Sequence, residues 1–477
     1  MPKITMIGAG SLVFCKTLSM DILSTAALQD SEICLMSRTK PKLDHMEAFL
    51  KRVVKENDLP TQVWSTLDRS EALRDADYVI NMIQVGGVDA FQTDYEIPLK
   101  YGVDQCIGDS LGPGGVFRTL RTAPILRDMI ADMEALCPNA LFLNYTNPMG
   151  ACCNLLGRLT DQIQFIGLCH GVQTTLDLIS RYVDVPKEEI DFTCAGINHM
   201  AWFLSLKDKR DGRDLYGLFR ALCEQPGYYV NEKVRCEVMR HFGYFMTEST
   251  GHLSEYVPWF RASERGRNTY CDEPGFGGAT GAYYKFCRMI ADKYAGVNYL
   301  ETEGAEIGHR SAEYCSHILE AHETDRPFRL QGNIRNDGYI TNLPQGCCVE
   351  VPVIVDAHGI HPLRVGALPP QCAALNQTNI TVQALTVEAA LSGDPEYAMQ
   401  AIAMDPLTSA CCTLSEAREM TREMLAAQRQ WLPQFEGQSL KATPQIVIPP
   451  DVVRVDVPVD PALAIANRFG ELAERQV

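Results

Sequence analysis

The stretch Lys3–Ile7, followed at once by Gly8-Ala9-Gly10-Ser11, constrains the fold more than any other feature of the chain. An apolar strand that turns on two glycines into a helical pattern (about residues 11–28) is the opening of a dinucleotide-binding unit. Glycines there let the backbone approach a pyrophosphate at the positive end of the helix. The third fingerprint position is Val13 rather than glycine, so the motif is partial. The same rhythm continues. Glu32–Met36 is a short strand, residues 42–56 have helical spacing, and residues 78–83 form a continuous apolar run. An amphipathic helix over residues 119–136 is closed by Cys137-Pro138, and buried strands follow at 140–144 and 164–168. Apolar strands alternating with helices predict a Rossmann-type α/β fold, a doubly wound parallel sheet with ligands at the carboxyl ends of its strands.

After about residue 190 helical stretches (215–223, 231–242, Pro395–Met404, 414–430) mix with a strand-like piece at 348–355. The expected organisation is a dinucleotide-binding domain over 1–190 and a second α+β domain over 191–477 carrying substrate, metal and oligomerisation surfaces. The tail, from Pro449-Pro450 to Pro458, reads as extended and leads into a last helix near 462–474. A net charge of -17 argues against nucleic acid, whose phosphates demand clustered Lys and Arg. No apolar run approaches the roughly 18 residues of a membrane span, and the amino terminus lacks the apolar core of a signal peptide. The 18 cysteines, including the adjacent pairs Cys152-Cys153, Cys347-Cys348 and Cys411-Cys412, are therefore expected to be reduced, buried thiols of an oxidation-sensitive cytoplasmic protein.

Two sites of chemistry stand out. The cofactor set is Gly8, Gly10 and Ser11, joined by Gln84 and Asn144 at later strand ends and by Ser37-Arg38 at the end of the second strand. An NAD site usually places Asp or Glu there for the ribose 2′-hydroxyl. A hydroxyl and a guanidinium suit a 2′-phosphate, so NADP+ is expected as well as, or in preference to, NAD+. The second site is Cys169, directly after the strand at 164–168, with His199 thirty residues later. Thiolate and imidazole together suit a borderline or soft divalent metal. Two ligands leave the open positions that catalysis needs. Around them lie Asp109-Ser110-Leu111-Gly112-Pro113-Gly114-Gly115, read as a glycine-rich loop leading to Arg118 and Arg121, then Asn144-Tyr145-Thr146-Asn147-Pro148, and the stretch 248–259 (ESTGHLSEYVPW). In the last, Tyr256 or Trp259 can stack on a sugar, and His252, like His241, reads as a local hydrogen-bonding residue.

The motifs GAGS, DSLGPGG, NYTNPM, GLCHGV, AGINHMAW and NLPQGCCVEV, in this order from residue 3 to about 435, resemble glycoside hydrolase family 4. That resemblance implies NAD+- and Mn2+-dependent glycosidases on a lactate/malate-dehydrogenase-like fold, and the likeness is greatest to the α-galactosidase branch. It implies Cys169 and His199 as manganese ligands, Asn147 as a substrate contact, and His170 as proton donor with Asp109 as the alternative. Tyr256 or Glu255 would be the C2 base, and Arg118, Arg121 or Arg261 could meet a substrate carboxylate. The implied route is redox elimination–addition. C3 is oxidised by NAD(P)+, C2 is deprotonated through a metal-stabilised enediolate, the glycosidic bond is eliminated, and water adds back. The branch typically has serine at position 171, where this chain has glycine, as in uronic-acid-specific relatives. An α-glucuronidase or α-galacturonidase is therefore the alternative, and a lactate/malate-type dehydrogenase or a metal sensor are more distant ones. A small-molecule glycoside is the expected partner, with assembly as a homodimer or homotetramer. The tail beyond about residue 440 lies outside the resemblance.

Overall fold

A computed structural model of the chain describes residues 1–11, 14–444 and 446–456, with Ala462, Ile465 and residues 468–470. Val13 and most of the expected last helix lie outside the described residues. Residues Met1–Ser439 form one compact unit and Leu440–Val477 another. In the second, the described residues before 457 have no regular strand or helix, and Ile446, Val447, Ile448, Val453 and Val455 are exposed.

The large unit is built on one sheet of eleven strands. Its parallel part comprises β1 (Lys3–Ile7), β2 (Glu32–Met36), β3 (Gln62–Thr66), β4 (Tyr78–Asn81), β5 (Leu141–Asn144) and β6 (Phe165–Gly167). Their order is β3-β2-β1-β4-β5-β6. The order reverses between β1 and β4, which opens a crevice at the carboxyl ends of those strands. The strands are apolar because both faces are covered. Ile4, Met6, Cys34, Tyr78, Ile80, Phe142 and Leu143 are fully buried. Beyond β6 the sheet turns antiparallel through β9 (Phe328–Arg335), β10 (Cys348–Asp356), β7 (Ile190–Ile197) and β8 (Met200–Asp208), with β11 (Gly359–Pro362) on β10. No described helix is long and apolar enough to cross a membrane.

Glu32–Met36 and Pro395–Met404 form at the expected bounds. Three features differ. Strand β3 was not expected, because its residues are mostly polar and only Val63 is buried at this sheet edge. The helix read from residue 119 begins at Gly112, so the glycine-rich stretch is its first turn rather than a loop. Pro113 is tolerated there because the first helical N–H groups have no intrahelical partner to lose. The long helix Pro370–Ser392 also went unread, since it buries Asn376, Asn379 and Gln383 and so shows no clean apolar stripe.

Arg121 is fully buried in the helix Gly112–Leu136 and does not face a substrate. Its guanidinium grips Asp94 in a fork (2.9 and 2.5 Å) and also donates to Gln428 Oε1 at 3.0 Å and the Val85 carbonyl at 2.9 Å. This pair clamps three helices, Gly112–Leu136, Gly87–Lys100 and Leu414–Gln428. Removing one partner leaves a buried charge uncompensated, which costs about 3–5 kcal/mol. Arg121→Leu is expected to lose that much stability in urea unfolding, and a loss below about 1 kcal/mol would show that Asp94 finds other partners.

Candidate active site

Cys169 lies two residues past β6, just before the helix Gly171–Val183. His199 sits in the two-residue turn Asn198-His199 between β7 and β8, where Ile197 and Met200 pair. Its φ of 62° is uncommon for a residue with a side chain. These elements bring Cys169 Sγ to 3.4 Å from His199 Nε2. A third donor joins them. Glu248 Oε1 lies 3.6 Å from His199 Nε2, and the three ligand atoms fall within 4.8 Å of one another. Glu248 reaches the pair because the preceding backbone is stitched to β8: Phe203 N–H donates to the Phe245 carbonyl and Thr247 N–H to that of Ala201, both at 2.9 Å.

The donor set suits a divalent cation. Burial keeps His199 in the neutral, ligating form by lowering its pKa to about 4. Burial pushes the Cys169 thiol well up, and the Glu248 and Glu350 carboxylates push it further. A cation at the sulfur is the missing counter-charge that would make it a thiolate. Burial opposes ionisation of Glu248, but the neighbouring His199 and His252 hold it well below the usual carboxylate range. Its Oε2 is 3.2 Å from His252 Nδ1, the local partnership expected of that histidine. The far nitrogen of His199, Nδ1, meets the Tyr256 hydroxyl at 3.0 Å. That contact leaves Nε2 for a metal, as outer hydrogen bonds do for ligating imidazoles.

Beside this cluster Asp109 is buried, with Oδ2 accepting from Asn147 Nδ2 at 3.4 Å and lying 3.3 Å from Arg118 Nη1. Ser110 Oγ donates to Asp109 Oδ1 at 2.6 Å, and Arg118 Nε donates to the Asn147 carbonyl at 3.2 Å. His170 is half exposed at the start of the Gly171–Val183 helix, 3.5 Å from Glu313. The Glu313 hydrogen bond lifts the His170 pKa, against the effect of burial. At the other end of the crevice Gly8 turns with φ 92°, and a Cβ there would fall 2.8 Å from the Met82 carbonyl. Gly8 and Ala9 N–H groups donate to the Met36 carbonyl at 2.9 and 3.0 Å, so β1 and β2 end together. Ser37 is buried beside Gly10, Ser11 is half-buried, and Arg38 and Gln84 are exposed at the strand ends.

Residues 3–185 match the sequence profile of the family 4 glycosyl hydrolases, and residues 194–408 match the profile of the family's C-terminal domain. The chain is similar to an alpha-galactosidase of Rhizobium meliloti, 39% identical over 91% of this chain and 89% of the relative. It is also similar to an alpha-galactosidase of Bacillus subtilis, 40% identical over 91% of this chain and all (100%) of the relative. In fold it is similar to a 6-phospho-alpha-glucosidase from gut microorganisms solved with NAD and Mn2+, with TM-score 0.75, 20% identity, and 91% and 99% of the two chains covered.

The chain belongs to glycosyl hydrolase family 4.

In this family 4 hydrolase, Cys169, His199, Tyr256, Asp109, Asn147 and Arg118 are linked by direct contacts into two adjoining groups. Three other expected site residues are committed to the scaffold. Asn144 is fully buried, with Oδ1 accepting from Asn81 Nδ2 at 2.9 Å and Nδ2 donating to the Thr146 carbonyl at 3.0 Å, so it closes β4 onto β5 rather than facing a ribose. Arg261 is fully buried, with its guanidinium on Asp104 and on the Gly278 carbonyl, leaving no free edge for a sugar carboxylate. Glu255 accepts the N–H groups of Cys106, Ile107 and Gly108 at 2.5, 2.5 and 3.0 Å and thereby holds the loop that leads to Asp109. Glu248 and Glu313 were missed as individuals, although Glu248 opens the unusual stretch 248–259. A general base contributes about 10²–10⁴-fold to rate. Glu255→Gln, which keeps one accepting oxygen, is therefore expected to retain activity within about tenfold, and a loss beyond about a thousandfold would return Glu255 to the role of base.

Proposed function

We propose that this family 4 hydrolase cleaves α-galactosides using bound NAD+ or NADP+ and a divalent manganese ion. The observation that carries the proposal is the convergence of a thiol, an imidazole and a carboxylate beside the crevice of a dinucleotide-type sheet. The alpha-galactosidase relatives support the substrate, and the solved relative with NAD and Mn2+ supports the cofactors. Residues 1–190 would carry the dinucleotide, and the remainder of the large unit would supply His199 and Glu248. When bound, the dinucleotide supplies a reversible hydride acceptor, and the metal supplies the Lewis acidity that makes a proton beside a carbonyl removable.

The chain's own residues do the rest. Asn147 and Asp109, braced by Arg118, would take hydroxyls of the sugar ring through their amide and carboxylate. His170, whose pKa the Glu313 hydrogen bond raises, would give its proton to the leaving oxygen and then take one from water. Tyr256 is the better base for C2, since Glu255 spends its lone pairs on three backbone amides. Its phenol is raised well above its usual range by burial, so a nearby divalent charge is needed to bring it into use. Gly171 favours a second reading, a uronic-acid α-glycoside, because it stands where the α-galactosidase branch typically has serine and uronic-acid-specific relatives have glycine. Soluble, cytoplasmic assembly as a homodimer or homotetramer completes the proposal.

Two measurements test it. With Mn2+ and a thiol reductant, p-nitrophenyl α-galactoside is expected to turn over only when a dinucleotide is present, and a chelator should abolish it. Turnover of the α-glucuronide instead would move the substrate to uronides, and activity without metal or dinucleotide would overturn the mechanism. In fluorescence titrations NADP+ is expected to bind within about tenfold of NAD+, and Arg38→Ala to weaken NADP+ alone by about tenfold, or about 1.4 kcal/mol. NADP+ binding a hundredfold more weakly than NAD+ in the parent would leave Arg38 as a solvated surface charge.

A further inference from the structure

We propose that Glu248 is a third protein ligand to the metal and that Gly171 is the residue that admits it. This rests on the reading of Cys169 and His199 as metal donors. Glu248 is held in an uncommon conformation, φ 76°, as is His199 at 62°. Such strain persists only where the surroundings impose it. Here the surroundings are the backbone bonds from Phe245 and Thr247 to β8. The two carboxylate oxygens have separate tasks. Oε2 is occupied by His252 at 3.2 Å, while Oε1 points at His199 Nε2 from 3.6 Å.

The space that Oε1 occupies is the space a side chain at position 171 would need. A Cβ built on Gly171 would lie 2.4 Å from Glu248 Oε1 and 3.6 Å from Cys169 Sγ. A contact that short cannot be kept. Because the opposing atom is the free end of a flexible side chain, the carboxylate would swing away and the backbone would stay. The Gly171 N–H, which donates to Cys169 Sγ at 3.5 Å, is untouched by such a change. Residue 171 therefore sets the number of protein donors. With glycine there are three: sulfur, nitrogen and oxygen, from three separate elements. The remaining coordination positions stay open for oxygen atoms of substrate or water, as in catalytic sites. With any side chain there are two, and the metal would depend on the sugar to be retained. The expected consequence is a divalent ion held firmly by the free enzyme.

The test is Mn2+ affinity measured by electron paramagnetic resonance on the full-length protein without sugar. Glu248→Gln and Gly171→Ala are each expected to weaken Mn2+ binding by at least about tenfold. The double variant should bind no more weakly than Glu248→Gln alone, because both changes remove the same ligand. Loading with Co2+ separates this proposal from the reading beneath it. Glu248→Gln should keep the sulfur-to-cobalt charge-transfer band and Cys169→Ser should lose it. If Glu248→Gln binds Mn2+ as tightly as the parent, or if Gly171→Ala weakens binding equally with and without Glu248, the proposal is wrong. If the parent shows no such band, the metal reading itself fails. Thermal unfolding of the metal-free variants near the parent's midpoint ties any loss to the ligand rather than to the fold.

Discussion

One row of backbone pairing runs across the sheet from β3 to β7, and the glycine turn, Cys169 and His199 all hang from it. The row runs Thr66, Met36, Ile7, Asn81, Asn144, Gly167, Asn333, Glu350, Gly196, each residue paired with the next. Gly8 is one residue past it on β1, Ser37 one past it on β2, and Cys169 two past it on β6. His199 lies three past it, in the β7–β8 turn. Strand spacing sets the scale. From β1 to β6 there are three steps of about 4.8 Å, so the ends of those two strands stand roughly 14 Å apart across the sheet. The row continues past β6 through antiparallel pairing with β9 and β10, and the helix Gly171–Val183 carries the chain from β6 across to β7.

The same row explains the electrostatics. Glu350 is buried in it behind Cys169, and burial, with Glu248 adding to it, raises its carboxyl to about 8. Cys169, Glu248 and Glu350 are three groups that carry or can carry negative charge, and each raises or feels the charge of another within one buried place. Clustering of this kind is costly for structure alone. It is a sensible arrangement for holding a divalent cation, which would repay the desolvation of its ligands and make the sulfur a thiolate.

How much of this was legible in the sequence differs residue by residue. Cys169 and His199 were readable because each follows a strand-like run, and strand ends are where this architecture puts ligands. Glu248 was not. Its approach depends on the pairing of residues 245–247 with β8, a contact some forty residues away in the chain that no local pattern announces. Asn144, Arg121, Arg261 and Glu255 were misread for one shared reason. A polar residue satisfied inside the scaffold has the same letter as one facing a ligand, and only the count of partners separates them. The long helix Pro370–Ser392 escaped because buried amides replaced the apolar periodicity that would have marked it.

Glu255 and Tyr256 show what such commitments achieve. They are neighbours, yet one side chain reaches the amides of residues 106–108 and the other the far nitrogen of His199. The loop that Glu255 holds runs straight into Asp109, which in turn contacts Asn147 and Arg118. A single peptide unit thus sets the distance between the polar cradle and the metal cluster. Precision of this sort comes from scaffold residues whose own freedom has been removed. On that account Glu255 shapes the site from the scaffold, through the loop that it holds.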